Sequence, residues 1–168
     1  MTAGQYALAQ GYLDAFLADE AWRKAAERFG WQLMRLGPTS LAVTLEARPQ
    51  PGVDPTYTLR LECEYCPALP PHVRFVNPQT QEFDPGADAY HVARLTAPGC
   101  YTHLTYSYPV PHRYGPQLVC NSLSQGYYDS GHAPTPEQRW DPARHHIGSS
   151  IEIVSRTLRG DYYLGRFG

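Results

Sequence analysis

A thiol flanked by polar groups stands at Cys120, in the run His112-Arg113-Tyr114-Gly115-Pro116-Gln117-Leu118-Val119-Cys120-Asn121-Ser122-Leu123. A histidine lies eight residues before it, and a long loop after it leads to Trp140-Asp141-Pro142. A thiol at the end of a short apolar stretch, beside Asn and Ser rather than inside a core helix, suits nucleophilic chemistry if it is reached by solvent and polar neighbours. Three further cysteines, Cys63, Cys66 and Cys100, accompany it. A chain of this length needs no disulfides, so buried structural thiols, metal binding and catalysis are the readings open to them.

Metal ligation has three candidate groupings: Cys63-x-x-Cys66 with His72; Cys100-x-x-His103 with His112 and Cys120; and Cys120 with Glu137, His145 and His146. The spacings are irregular, and adjacent histidines point about 100° apart on a helix. A cysteine hydrolase pairing Cys120 with a distant base such as His91 or His103 is another arrangement of the same residue types.

The elements that must position these groups are legible in outline. Leu13, Phe16, Leu17, Ala21, Ala25 and Phe29 recur at helical spacing, so the first thirty-five residues read as helix, with Gly30 as an interruption or end. Arg23, Lys24 and Arg28 fall on its charged face, either as a solvated surface or as a partner contact. Alternation at Leu41, Val43 and Leu45, at Tyr57, Leu59 and Leu61, and at Val73, Phe75 and Val76 predicts three strands with hairpin-length connections, an antiparallel meander. Residues 77–117 are irregular and rich in Pro, Gly, Tyr and His, with short strands expected near His91–Leu95 and Leu104–Tyr106. Asp141 as N-cap, Pro142 at the first helical position, the stripe Ile147, Ile151, Val154, Leu158, and Gly160 as a cap predict a C-terminal helix. The expected fold is α+β over one domain, residues 1–168: N-terminal helix, meander, long site-bearing loop, C-terminal helix.

Composition narrows the function classes. A net charge of −2 gives no broad attraction to nucleic acid or an anionic membrane. The opening Met1-Thr2-Ala3-Gly4-Gln5 has no signal-peptide pattern and no apolar run reaches membrane-spanning length, so cytoplasm is the expected location. Thirteen of the fourteen basic residues are arginine, Lys24 being the one lysine. Nucleotide-composition bias is one account. The other is that a protein holding a reactive acyl group gains from having few amines of its own.

Three segments together resemble the ubiquitin-conjugating enzymes. Tyr65-Cys66-Pro67-Ala68-Leu69-Pro70-Pro71-His72-Val73-Arg74-Phe75 is similar to the family's proline-rich strand end. His112 to Cys120 is similar to its run from the His-Pro-Asn motif to the active-site cysteine, and Trp140-Asp141-Pro142 to the Trp-x-Pro that opens the following helix. Divergent bacterial relatives, found in operons with ubiquitin-like modifiers, look closer than eukaryotic members. The resemblance implies a UBC-like fold with no cofactor. In it Cys120 takes a ubiquitin-like modifier from an activating enzyme as a thioester and passes it to an amine of a target protein. It also implies that His112 shapes the site loop by hydrogen bonding and that the surface of Arg23, Lys24 and Arg28 receives the activating enzyme. The sequence departs from the family where Arg113-Tyr114 replace Pro-Asn, removing the oxyanion asparagine. Asn121 and the Tyr114 hydroxyl are the candidate substitutes. A zinc-binding protein of such an operon and a non-catalytic UBC-like binding module are the competing readings.

Overall fold

Thr2 opens the chain's first helix by a capping box, its hydroxyl accepting from the Gln5 amide while the Gln5 side chain accepts from the Thr2 amide. A computed structural model describes residues 1–168. Helix α1 (Ala3–Ala18) ends at Asp19, whose carboxylate then accepts from the amides of Ala21 and Trp22 and starts α2 (Glu20–Phe29). Gly30, at φ 71°, closes α2 in the left-handed conformation that glycine adopts without steric cost. The expected single helix over the first thirty-five residues is thus two helices, and the chain beyond Gly30 is strand β1 (Gln32–Gly37).

Strands β1, β2 (Ser40–Glu46), β3 (Thr56–Glu62) and β4 (His72–Val76) form an antiparallel sheet in that order. The register stacks Leu41 on Leu61 on Val73, and Val43 on Leu59 on Phe75, which places the apolar members of the three runs on one face except Val76, which stands beside Thr58 on the other. The opposite face carries the rows Ser40–Glu62–His72 and Ala42–Arg60–Arg74. A second antiparallel sheet has the order β7 (Leu118–Cys120), β6 (Cys100–His103), β5 (Ala93–Ala97) and β8 (Tyr163–Arg166). Its β5 and β6 fall near the short strands expected in residues 77–117, with β6 beginning at Cys100 rather than Leu104. The C-terminal tail forms β8, which pairs with β5.

Helix α4 (Ile147–Arg159) is the C-terminal helix, and Ile147, Ile151, Val154 and Leu158 are its buried stripe. It starts at Ile147, five residues later than an Asp141 cap with Pro142 at the first helical position predicts. Asp141 caps a separate turn, accepting from the Ala143 amide, and its own amide donates to His145 Nδ1. His146, with extended φ −128° and ψ 171°, then separates this turn from α4, and Ser149 closes the capping box. A short helix α3 (Gln125–Asp129) precedes it. The core joins α1, α2, both sheets and α4 in one contiguous apolar cluster. The fold class is therefore α+β with antiparallel sheets, in the element order expected. No helix is long and apolar enough to cross a membrane.

The approach of α2 to α4 has a specific requirement. A Cβ on Gly148 would lie 2.3 Å from carbons of the Trp22 ring, so the indole rests on bare backbone. Trp22 in turn stacks on Trp31 with ring centroids 6.5 Å apart, and the Trp31 indole N–H donates to Ser155 on α4 at 3.0 Å.

Candidate functional site

Cys120 does not sit in a loop. It is the last residue of β7, the edge strand of the second sheet, directly opposite Tyr101 on β6. Side chains alternate across a strand, so Val119 enters the core while Leu118 and Cys120 share the other face with Tyr101 and His103. That face is covered by α3. Gly126 permits this, because a Cβ there would meet the Leu118 side chain at 3.1 Å and the Tyr108 hydroxyl at 3.3 Å. Tyr127 of α3 lies near enough to the sulfur that a thiolate there would hold its hydroxyl more firmly protonated, an effect second to the tyrosine's own burial.

This placement corrects the expectation of an exposed thiol. Cys120 is 7% exposed, and burial alone pushes its pKa up, so the thiol form predominates at neutral pH. The reason is tertiary: pairing with β6 orders the strand, and α3, five residues further along the chain, closes over it.

The three segments singled out in the sequence converge here. His72, which opens β4, is 1% exposed and faces outward from the first sheet beneath residues 106–114. Its ring lies 4.4 Å from that of Tyr114 and 4.8 Å from that of His112, which in turn stacks on Tyr108 at 4.1 Å. Pro71 accepts from the Gln125 amide at the start of α3, and Ser124 accepts from the Val73 amide. Trp140 donates from its indole to the Pro67 carbonyl at 2.7 Å, tying the Trp-x-Pro segment to the proline-rich turn. Gln117, fully buried, uses its side-chain amide as a one-residue strand: it accepts from the Phe75 amide at 2.6 Å and donates to the Phe75 carbonyl at 3.0 Å. That pair locks β7 beside the free edge of β4.

His112 is fixed by two contacts. Its Nδ1 faces the Tyr114 amide at 3.4 Å, which makes Nε2 the protonated nitrogen, donating to Asp129 at 3.1 Å. It therefore holds the loop by hydrogen bonding. Neither ring nitrogen is left over for a base. The Tyr114 hydroxyl donates to Glu64 at 3.2 Å, and Arg113 makes a two-pronged pair with the same carboxylate. The Tyr114 hydroxyl is thus already committed. Asn121 differs: its carbonyl oxygen accepts from the Leu123 amide at 3.0 Å, but its Nδ2, in a residue 1% exposed, has no acceptor. An unmet buried donor costs about 1–3 kcal/mol, and it sits on the residue after the thiol.

The other candidates fall elsewhere. No group of three or more His, Cys, Asp or Glu side chains is assembled in metal-binding geometry, so none of the three ligand sets comes together. Cys63 and Cys66 are buried neighbours, the Cys66 amide donating to the Cys63 carbonyl at 3.0 Å, and the Cys66 side chain together with burial pushes the Cys63 thiol well up. His91 is beside Tyr90 and Asp54, at the β8 side of the second sheet. His103 shares the Cys120 face but stands opposite Leu118. Arg23, Lys24 and Arg28 are exposed on α2, with Lys24 paired to Glu20 at 2.7 Å. Residues the sequence did not flag are Glu64, Asp129 and Tyr127, each joined to the site only by folding, and no local pattern marks them.

The buried histidine makes stability depend on pH. Burial first, then the charges of His112 and Arg74, hold His72 well below its ordinary range. The unfolded chain then binds more protons than the folded one below about pH 6.5, so stability is full above that value and declines as pH falls. The thermal midpoint is expected to drop between about pH 7.5 and about pH 5.5, and His72→Phe, which keeps the ring stack, should flatten that dependence. An identical slope in the variant would assign the effect to other groups.

No protein-family model matches the chain, and no curated protein or solved structure does.

Proposed function

We propose that this chain is a carrier of the ubiquitin-conjugating type, with Cys120 accepting the C-terminal acyl group of a ubiquitin-like modifier and delivering it to an amine. The observation that carries this reading is the convergence of the three family-like segments on one site at the end of β7, with an unpartnered amide donor on the next residue. In loading, the Cys120 sulfur gives up its proton and attacks the thioester carbonyl of the activating enzyme, whose own thiolate leaves. In transfer, a target amine attacks the new thioester, loses a proton, and expels the Cys120 thiolate. Both steps pass through an oxyanion, and Asn121 Nδ2 is the free donor to receive it. His112 positions the loop through Asp129. The raised pKa of Cys120 makes its thiolate scarce but strongly nucleophilic and a slow leaving group, which favours a long-lived thioester. Loading requires the α3 cover to yield around the sulfur.

The low exposure of Cys120 favours a second reading, a non-catalytic binding module of the same layout. One experiment separates the two. The chain is incubated with ATP, a ubiquitin-like modifier and its activating enzyme, then run on non-reducing electrophoresis. The carrier gives a reductant-sensitive band that Cys120→Ala abolishes and Cys120→Ser converts to a reductant-stable ester. Modifier binding without any such band would establish the module instead.

A further inference from the structure

Away from Cys120, α2 and α4 enclose a groove; of the surface that the family resemblance assigns to the activating enzyme, Arg28 alone borders it. Its deepest part is a pocket of about 360 Å³ floored by Phe29 and Trp31 and walled by Glu152, Arg156 and Arg159 of α4. An adjoining hollow of about 250 Å³ shares Phe29, Trp31 and Glu152 and extends along α2 past Ala25 and Ala21. The floor is rigid: Phe29 stacks on Trp31 at 5.5 Å, and Trp31 is anchored to Ser155.

The groove gathers cations that pair with no carboxylate. Seven of the thirteen arginines (Arg35, Arg48, Arg60, Arg74, Arg113, Arg144 and Arg166) have a carboxylate partner. The other six have none, and three of these, Arg28, Arg156 and Arg159, gather at the groove, where Arg159 also donates to the Phe29 carbonyl at 2.5 Å. Arg28 and Arg159 both lie over the Phe29 ring, at 5.4 and 5.8 Å from its centroid, and Arg156 is exposed on the pocket wall. Three guanidiniums without an ion-pair partner thus border an aromatic floor whose wall carries one carboxylate, Glu152, in a protein of net charge −2. Guanidinium forks and buried aromatic rings are the groups that dominate peptide and protein recognition.

We propose that this groove docks an acidic peptide segment of a partner protein. An apolar side chain of the segment enters the Phe29–Trp31 pocket, and flanking carboxylates pair with Arg28, Arg156 and Arg159. Glu152 on the wall and the negative charge of the whole chain disfavour a dense polyanion such as nucleic acid or a phospholipid surface. The proposal is independent of whether Cys120 carries a modifier.

The test is a selection of random dodecapeptides displayed on phage against the full chain, in parallel with an Arg156→Glu/Arg159→Glu double variant. Wild-type protein should enrich acidic peptides bearing a large apolar residue. A synthetic copy of the best of these, followed by fluorescence anisotropy, should bind about tenfold or more weakly to the double variant and in high salt, and more tightly to Glu152→Lys. The Glu152→Lys gain cannot come from unfolding. Enrichment of neutral or basic peptides, no enrichment, or binding indifferent to these substitutions would overturn the proposal. So would a dimer, seen by sedimentation, that the double variant abolishes, since it would assign the groove to a second copy of the chain.

Discussion

Asn121→Ala is expected to slow aminolysis of the loaded thioester by about 10²–10³-fold, the loss that follows removal of one oxyanion donor. The argument rests on an asymmetry within one side chain. The carbonyl half of the amide is satisfied by the Leu123 backbone, which fixes the flip, and the NH₂ half is buried without an acceptor. Native proteins seldom leave such a donor unmet, because it forfeits its water without replacement. If the orphan is merely a packing defect, deleting it should leave transfer untouched, whatever stability is lost with the Leu123 hydrogen bond. If it is held ready for charge that develops during reaction, the rate falls. Asn121→Asp keeps the acceptor for Leu123 but puts a carboxylate oxygen, and a negative charge, where the donor stood, so discharge should fall at least as far as in the alanine variant. Single-turnover discharge of the preloaded chain onto a free amine reads the effect, with loading scored separately. Unchanged discharge in both variants would remove Asn121 from the chemistry.

Gly148→Ala should destabilise the fold by about 1–3 kcal/mol, in the range measured for overpacked cores. The sign is opposite to what helix propensity alone gives, since alanine is favoured over glycine in a helix by about 1 kcal/mol. Packing wins because the added methyl would stand 2.3 Å from two ring atoms of Trp22 and 2.4 Å from a third, and a fused ring has no flexible end to swing aside. Trp22 cannot retreat freely either, being tilted against Phe16 at 5.7 Å and stacked on Trp31. At about 2–4 °C per kcal/mol for a domain of this size, the thermal midpoint should fall by several degrees. A midpoint that holds or rises would mean that α2 and α4 are less closely coupled than the packing indicates.

The two variants probe different layers of the same chain, one at the end of β7 and one at the α2–α4 seam. That separation matters for the docking groove as well. Phe29 and Trp31 form its floor, so the seam that Gly148 makes possible also supports the groove's shape.

What the amino-acid order determined alone are the features that depend on near neighbours. Alternation at positions 41–45, 57–61 and 73–76 was enough for three strands and their shared face, because a pleated strand repeats every two residues. The 3.6-residue repeat placed the buried stripe of α4, and the proline-rich turn, the His112 loop and Trp140 were recognisable as segments. Strand β1 escaped because its exposed, helix-compatible residues take their conformation from pairing with β2. Asp141 was read as the cap of α4, yet Trp140 stacked on His145 holds that stretch in its own turn. Tertiary structure decided everything that joins distant residues: Asp129 to His112, Glu64 to Tyr114, the α3 cover over Cys120, and the arginines of two helices gathered around Phe29. Burial, and with it the pKa of a thiol or the worth of an unpaired amide, is a property of what folds over a residue, and short-range periodicity carries no record of that.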